Sequence, residues 1–224
     1  MNFTKDFDAV IFDMDGTLLD SMWAWRGENS RFLERHHLPI PEEYVEIINV
    51  LSSHALAHRI EKDYPDRFTF DSVIGEYLES MKKHYVTDIF PKKGAKAFLE
   101  NLKAHKIKMC VATATPRENA KMALSQHGLD KYFEFVTDNQ ENGLSKSVPE
   151  YYDIVAERLG VKKERCVMFE DSLYAMKAAE AASLTPFAIE EQVHVGNEQL
   201  MKDIRETAAL FVKDFDEANA ILFG

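Results

Sequence analysis

Six side chains of this 224-residue chain combine types and spacings that can do chemistry. Asp13 and Asp15 stand two apart, just before Gly16 and Thr17. Thr113 follows an apolar run, Lys146 precedes a helical stretch, and Glu170 and Asp171 close another apolar run. Four carboxylates brought together repel strongly unless something positive sits among them. A hard divalent cation supplies that charge. Mg²⁺ fits because it takes oxygen ligands and keeps waters and substrate oxygens in its shell. With Mg²⁺ present, Asp13 can stay ionised and attack an electrophile. Phosphorus suits a metal-and-lysine site, because phosphoryl transfer depends on positioning and on neutralising three equatorial oxygens. Asp15 can point into the same crevice, protonate a leaving oxygen and later deprotonate a water.

These residues meet only if the fold delivers them to one edge. Four continuous apolar runs read as strands covered on both faces: Asp8 to Asp13, Ile107 to Ala112, Arg165 to Phe169 and Leu184 to Ile189. Phe133 to Thr137 and Ala209 to Val212 are weaker candidates. Helical patterns lie between them. Ala95, Phe98, Leu99 and Leu102 follow Gly94 at helical spacing. Thr115-Pro116-Arg117-Glu118 reads as a capping box, and Ser147-Val148-Pro149-Glu150 repeats it before a helix that Gly160 stops. Ser172 starts an Ala-rich helix running to about Ala182. This alternation predicts a Rossmann-like, doubly wound parallel α/β sheet. Ligands bind such sheets at the carboxyl ends of the strands, where five of the six side chains fall, and the loop that carries Lys146 is expected to face the same crevice.

From about Ser21 to Tyr85 the alternation stops. Met22, Trp25, Phe32 and Leu33 partly follow a helical stripe, as do Tyr44, Ile48, Leu51 and Ala55, and then Ile74, Tyr77, Leu78, Met81 and Tyr85. Pro39 and Pro41 separate the first two helices, and Pro65 and Thr69 precede the third. The reading is an α-helical domain inserted into the α/β domain. Residues 20–88 form the insert, and 1–19 with 89–224 form the core.

Val10-Ile-Phe-Asp13-Met-Asp15-Gly16-Thr17-Leu-Leu-Asp20-Ser21 resembles the first motif of the haloacid dehalogenase superfamily, in the branch with β-phosphoglucomutase and phosphoglycolate phosphatase. Thr113 resembles the second motif, Lys146 the third, and Phe169-Glu170-Asp171-Ser172 the fourth. The resemblance implies that the helical insert is a cap. It implies that Asp13 forms an aspartyl-phosphate and ligates Mg²⁺, and that Asp15 is the general acid/base with its carbonyl on the metal. Thr113 and the Ala114 amide hold phosphoryl oxygens, Lys146 pairs with Asp13 and the phosphoryl group, and Glu170 and Asp171 complete the metal site. The expected activity is Mg²⁺-dependent hydrolysis of a small phosphorylated metabolite, a sugar phosphate or similar monoester. The chain departs from the family where Ser147 follows the lysine in place of proline. It departs again at Ala175 and at Ala182-Ser183, where glycines are usual, so a slightly altered turn is expected there.

Other readings weigh less. A calcium loop needs Glu at its twelfth position, which is Ala24 here. Receiver domains also use a phosphorylated Asp with Thr and Lys, but they are about half this length and lack the Asp-x-Asp-Gly-Thr string. Dehalogenases of the family lack the second Asp and need no metal. A phosphomutase needs a cap with an Arg-centred signature that this chain does not display. His54 and His58, four apart, have no third ligand in sequence and read as exposed. Trp23 and Trp25 read as packing or substrate contacts. The balance of 27 basic against 38 acidic residues, net −11, and the absence of a Lys/Arg stripe argue against nucleic acid. No apolar run is long enough for a membrane span, and no signal peptide is read. The two cysteines, Cys110 and Cys166, fall in apolar runs and point to a reducing, cytoplasmic setting. A monomer, or a weak homo-oligomer, is expected.

Overall fold

A computed structural model describes residues 3–39 and 53–224. The chain divides into two compact units, one of Met1–Asp20 with Phe90–Gly224, the other of Ser21–Ile89. Strand β1 (Ala9–Phe12) leads into helices α1 (Met22–Arg35), α2 (Ser53–Asp63) and α3 (Phe70–Thr87). The alternation then runs α4 (Ala95–Ala104), β2 (Lys108–Thr113), α5 (Arg117–Gln126), β3 (Val136–Asp138), α6 (Pro149–Leu159) and β4 (Cys166–Glu170). It ends with α7 (Leu173–Ala181), β5 (Thr185–Ile189), α8 (Glu198–Thr207), β6 (Leu210–Val212) and α9 (Phe215–Phe223).

The six strands form one sheet in the order β3-β2-β1-β4-β5-β6, and every pairing is parallel. The order reverses beside β1, which makes the β1/β4 carboxyl ends the topological switch point. Both faces are buried, which is why the strand sequences stay apolar. One face packs Ala9, Ile11, Cys110, Ala112, Cys166 and Met168 against Tyr151, Tyr152, Val155 and Ala179 of α6 and α7. The other is aromatic. Phe12, Phe169 and Phe187 are register partners across β1, β4 and β5. The Phe12 and Phe169 rings stack at 5.5 Å, and Phe98 of α4 meets Phe169 edge-on at 5.4 Å. Such cross-strand aromatic rows fix register. Register matters here because Asp13 and Glu170 are the next residues along their strands.

The helical unit has its own core of Phe32, Leu33, Leu56, Ile60, Phe68, Val73 and Tyr77. Thr69 and Ser72 cap α3 reciprocally through Ser72 N to Thr69 Oγ1 and Thr69 N to Ser72 Oγ. Of the stripe Tyr44, Ile48, Leu51 and Ala55, only Ala55 lies within the described residues. Pro41 also lies outside them. His54 and His58 are exposed on α2 and pack on the Phe70 ring, His58 stacked at 4.2 Å.

Three local readings need correction. Neither expected capping box forms. Helix α5 starts one residue late, at Arg117, whose N–H is taken by Asp138 Oδ2 at 2.6 Å from the neighbouring strand. Pro149 does open α6, but the Ser147 hydroxyl turns to Ser145 Oγ instead of capping. The weak strand expected from Phe133 begins only at Val136 and reaches Asp138. The turn after α7 closes without a glycine. Ser183 N donates to Glu180 O at 2.8 Å and Leu184 N to Ala179 O at 2.9 Å, the two bonds of a Schellman closure. Ser183 reaches that form with φ +72°, in the left-handed region where glycine is usual. Left-handed strain of roughly 1–2 kcal/mol outweighs the extra chain entropy that glycine loses on folding. Ser183→Gly is therefore expected to raise the unfolding free energy by about 0.5–1 kcal/mol, read as a higher urea midpoint at unchanged slope. A lower midpoint would contradict the strain argument.

Candidate active site

The polypeptide leaves β1 through a tight turn. Gly16, at φ +83°, donates its N–H to Leu19 O, and Leu19 N returns to Met14 O, each at 2.9 Å. Asp13 N still donates to Phe169 O at 3.0 Å, extending the β1/β4 ladder by one residue. Asp13 thus stands beside the end of β4, where Glu170 and Asp171 emerge.

Lys146 reaches this point from the loop before α6 and is almost fully buried. Its N–H donates to Asn139 Oδ1 at 3.1 Å. Its carbonyl accepts from Tyr152 Oη at 3.1 Å, and the same hydroxyl lies 3.2 Å from Ala175 O of α7. So gripped, the Lys146 ammonium sits 2.5 Å from Asp13 Oδ1 and 2.7 Å from Glu170 Oε2, and it also donates to Ala112 O at 3.3 Å. Glu170 turns its other oxygen back to the N–H groups of Asp171 and Ser172, at 3.1 and 3.0 Å. Asp171 Oδ1 accepts from Ser172 Oγ, and Asp171 Oδ2 faces His194 Nε2, both at 3.2 Å. One oxygen from each of Asp13, Glu170 and Asp171 falls within 4.8 Å of the others.

Asp13, Lys146, Glu170 and Asp171 therefore meet directly. Asp15 is tied to Thr113 through an unexpected partner. Thr115 Oγ1 donates to Asp15 Oδ2 at 2.7 Å, and Thr115 N donates to Thr113 Oγ1 at 3.1 Å. The hydroxyl read as a helix cap is spent on Asp15, and Asp138 takes over the capping. Thr113 is buried at the carboxyl end of β2, and Ala114 is exposed immediately beyond it. Thr115, Tyr152 and His194 are the functional candidates that sequence reading missed. Thr115 carried a competing capping signal, and the other two depend on which elements become neighbours.

The charges do not balance. Three buried carboxylates share the site with one buried ammonium, which touches Asp13 and Glu170. Burial pushes the Asp13 carboxyl up to about 6, against the pull of Lys146 and with the help of Asp171. Burial, then Asp13, hold Glu170 well above the ordinary carboxylate range. Burial opposes the Lys146 ammonium too, but Asp13 and Glu170 outweigh it and raise its pKa. Asp171 differs. Burial raises it, yet His194, its Glu170 contact and Lys92 together hold it below the usual value. The excess negative charge and the all-oxygen donor set fit a hard cation such as Mg²⁺.

The sequence model for haloacid dehalogenase-like hydrolases matches residues 7–183. The chain belongs to that family. It is 32% identical over 185 residues to a phosphorylated carbohydrates phosphatase of Thermotoga maritima, covering 79% of this chain and 82% of the relative. It is 31% identical over 180 residues to a phosphoglycolate phosphatase of Neisseria meningitidis, covering 78% and 76%. Its fold matches the crystal structure of CbbY from Rhodobacter sphaeroides in complex with phosphate, with TM-score 0.76, 21% identity and coverage of 94% and 96%. Among the described residues, no helix is long and apolar enough to cross a membrane.

The Asp13 shift has a consequence for stability without metal. A carboxyl whose folded pKa is raised from 3.8 to about 6 binds more protons folded than unfolded across that interval. Stability therefore falls as pH rises through 3.8 to 6, and the penalty is complete above it. The Asp171 shift acts oppositely, and only below 3.8. In EDTA, Asp13→Asn is expected to flatten this fall and to exceed the wild type above pH 6 by at most about 3 kcal/mol. Urea unfolding at pH 4 to 7 checks it, and an equal or steeper slope in the variant would contradict it.

Proposed function

We propose that the protein is a Mg²⁺-dependent phosphatase that hydrolyses a small phosphorylated carbohydrate or similar monoester through an aspartyl-phosphate on Asp13. The observation that carries this reading is the contact of Asp13 Oδ1 with a buried Lys146 inside a cluster whose three carboxylates outnumber that one ammonium. The names of the related phosphatases support the substrate class.

Asp13, Glu170 and Asp171, with the Asp15 carbonyl, would hold the metal. When bound, Mg²⁺ would supply positive charge toward the phosphoryl oxygens and keep Asp13 ionised. Lys146 fixes one Asp13 oxygen and leaves the other for attack on phosphorus. As the Asp13–phosphorus bond forms and the ester bond breaks, Asp15 gives a proton to the leaving alkoxide. Thr113 and the Ala114 N–H take up charge developing on the phosphoryl oxygens. Asp15 then removes a proton from the water that attacks phosphorus, inorganic phosphate leaves, and Asp13 is regenerated. Thr115 holds the Asp15 carboxyl for both transfers. In this reading the helical unit is the cap that admits substrate and excludes water. The two buried free thiols, Cys110 and Cys166, support a reducing, cytoplasmic setting.

A panel of sugar phosphates should release inorganic phosphate with Mg²⁺ and none in EDTA. Asp13→Asn should abolish turnover. Thr115→Val should lower kcat by about 10–100-fold with little change in KM, since proton transfer of this kind contributes about 10²–10⁴. Metal-independent turnover, or an active Asp13→Asn, would overturn the proposal.

A further inference from the structure

The loop after β5 reaches the acidic cluster through one side chain. An ionised Asp171 offers only acceptors, so His194 Nε2, 3.2 Å from Asp171 Oδ2, carries the proton and donates. With Ser172 Oγ on Oδ1, each Asp171 oxygen has one donor from a different segment. The last torsion of an aspartate is broad by itself, and two such donors narrow it.

His194 needs a fixed support, because its segment holds only one 3₁₀ turn, Gln192–His194. Glu191 provides it. Its buried side chain accepts from Val193 N at 3.3 Å, and its carbonyl accepts from His194 N at 2.9 Å. Lys92 locks this turn to the rest of the α/β unit. Its ammonium lies 2.8 Å from Glu191 Oε2 and donates to Glu190 O at 2.6 Å, while its N–H donates to Leu18 O at 2.9 Å. A buried ion pair of this kind adds little net stability but holds geometry. Here it joins the segment after the first motif to the loop that bears His194.

We propose that His194, held in place by the Lys92–Glu191 pair, is a positioning residue that orients the Asp171 carboxylate for the divalent cation. This rests on reading the cluster as a metal centre. Ligating carboxylates are themselves hydrogen-bonded, and loss of such an outer partner typically weakens metal affinity about 10–100-fold.

Mn²⁺ titration of the full chain, followed by the electron paramagnetic resonance of free ion and without substrate, tests this independently of turnover. His194→Ala is expected to raise the Mn²⁺ Kd by about 10–100-fold. His194→Gln keeps an N–H at similar reach and should stay within about threefold of wild type, a rescue that space-filling alone would not give. Lys92→Met should weaken binding in the same direction by less, because the imidazole remains. The melting temperature of metal-free His194→Ala should stay close to wild type, which separates positioning from folding. Wild-type affinity in His194→Ala would overturn the proposal, as would a His194→Gln variant as weak as His194→Ala. A wild-type protein that binds no Mn²⁺ would instead remove the metal reading, and this inference with it. Weakened binding in His194→Ala upholds the positioning role whether or not any phosphomonoester is hydrolysed.

Discussion

The ammonium of Lys146 is buried between Asp13 and Glu170, and that arrangement constrains the rest of the α/β unit. A lone buried ammonium is costly, so its loop must hold it where carboxylates can compensate it. Asn139, Tyr152 and, through the shared hydroxyl, Ala175 provide that grip from three segments. With Asp171 added, compensation overshoots. The cluster carries more negative charge than its own cations neutralise, and Asp13 and Glu170 shift toward holding protons. The same excess fits a hard cation and, in the function proposed above, leaves an ionised Asp13 oxygen for phosphorus.

The sheet makes this crowding possible. The strand order reverses beside β1, so the carboxyl ends of β1 and β4 open into one crevice, with β2 alongside. The aromatic row of Phe12, Phe169 and Phe187 sits one residue below the acidic layer and resists a register slip that would turn Asp13 or Glu170 into the core. Packing on one side of each strand end thus determines chemistry just beyond it.

Much of this was legible from residue patterns, for identifiable reasons. Runs such as Ala9–Phe12 and Cys166–Glu170 stay apolar because both faces are covered, and that property is local to the sequence. Acidic pairs that end such runs point to a shared edge. The two capping errors have one common source. Thr115 and Ser147 are short hydroxyls beside helix starts, and local rules assign them to capping. In the structure Thr115 serves Asp15 and Ser147 bonds Ser145. For Thr115 the competing acceptor comes from an element distant in sequence, as does the Asp138 carboxylate that replaces it. His194 and Lys92 gave no local signal. Each acquires a role only when the loop after β5 is folded against the β1 turn. Ser183 shows the opposite case, in which the turn persists without its customary glycine because two backbone bonds outweigh the strain.

The most direct test of the central claim is anomalous diffraction at the manganese edge from crystals soaked in Mn²⁺. The account predicts a single strong peak among the carboxylates of Asp13, Glu170 and Asp171, with Lys146 still beside Asp13. A peak elsewhere, or none at this cluster at saturating Mn²⁺, would contradict it.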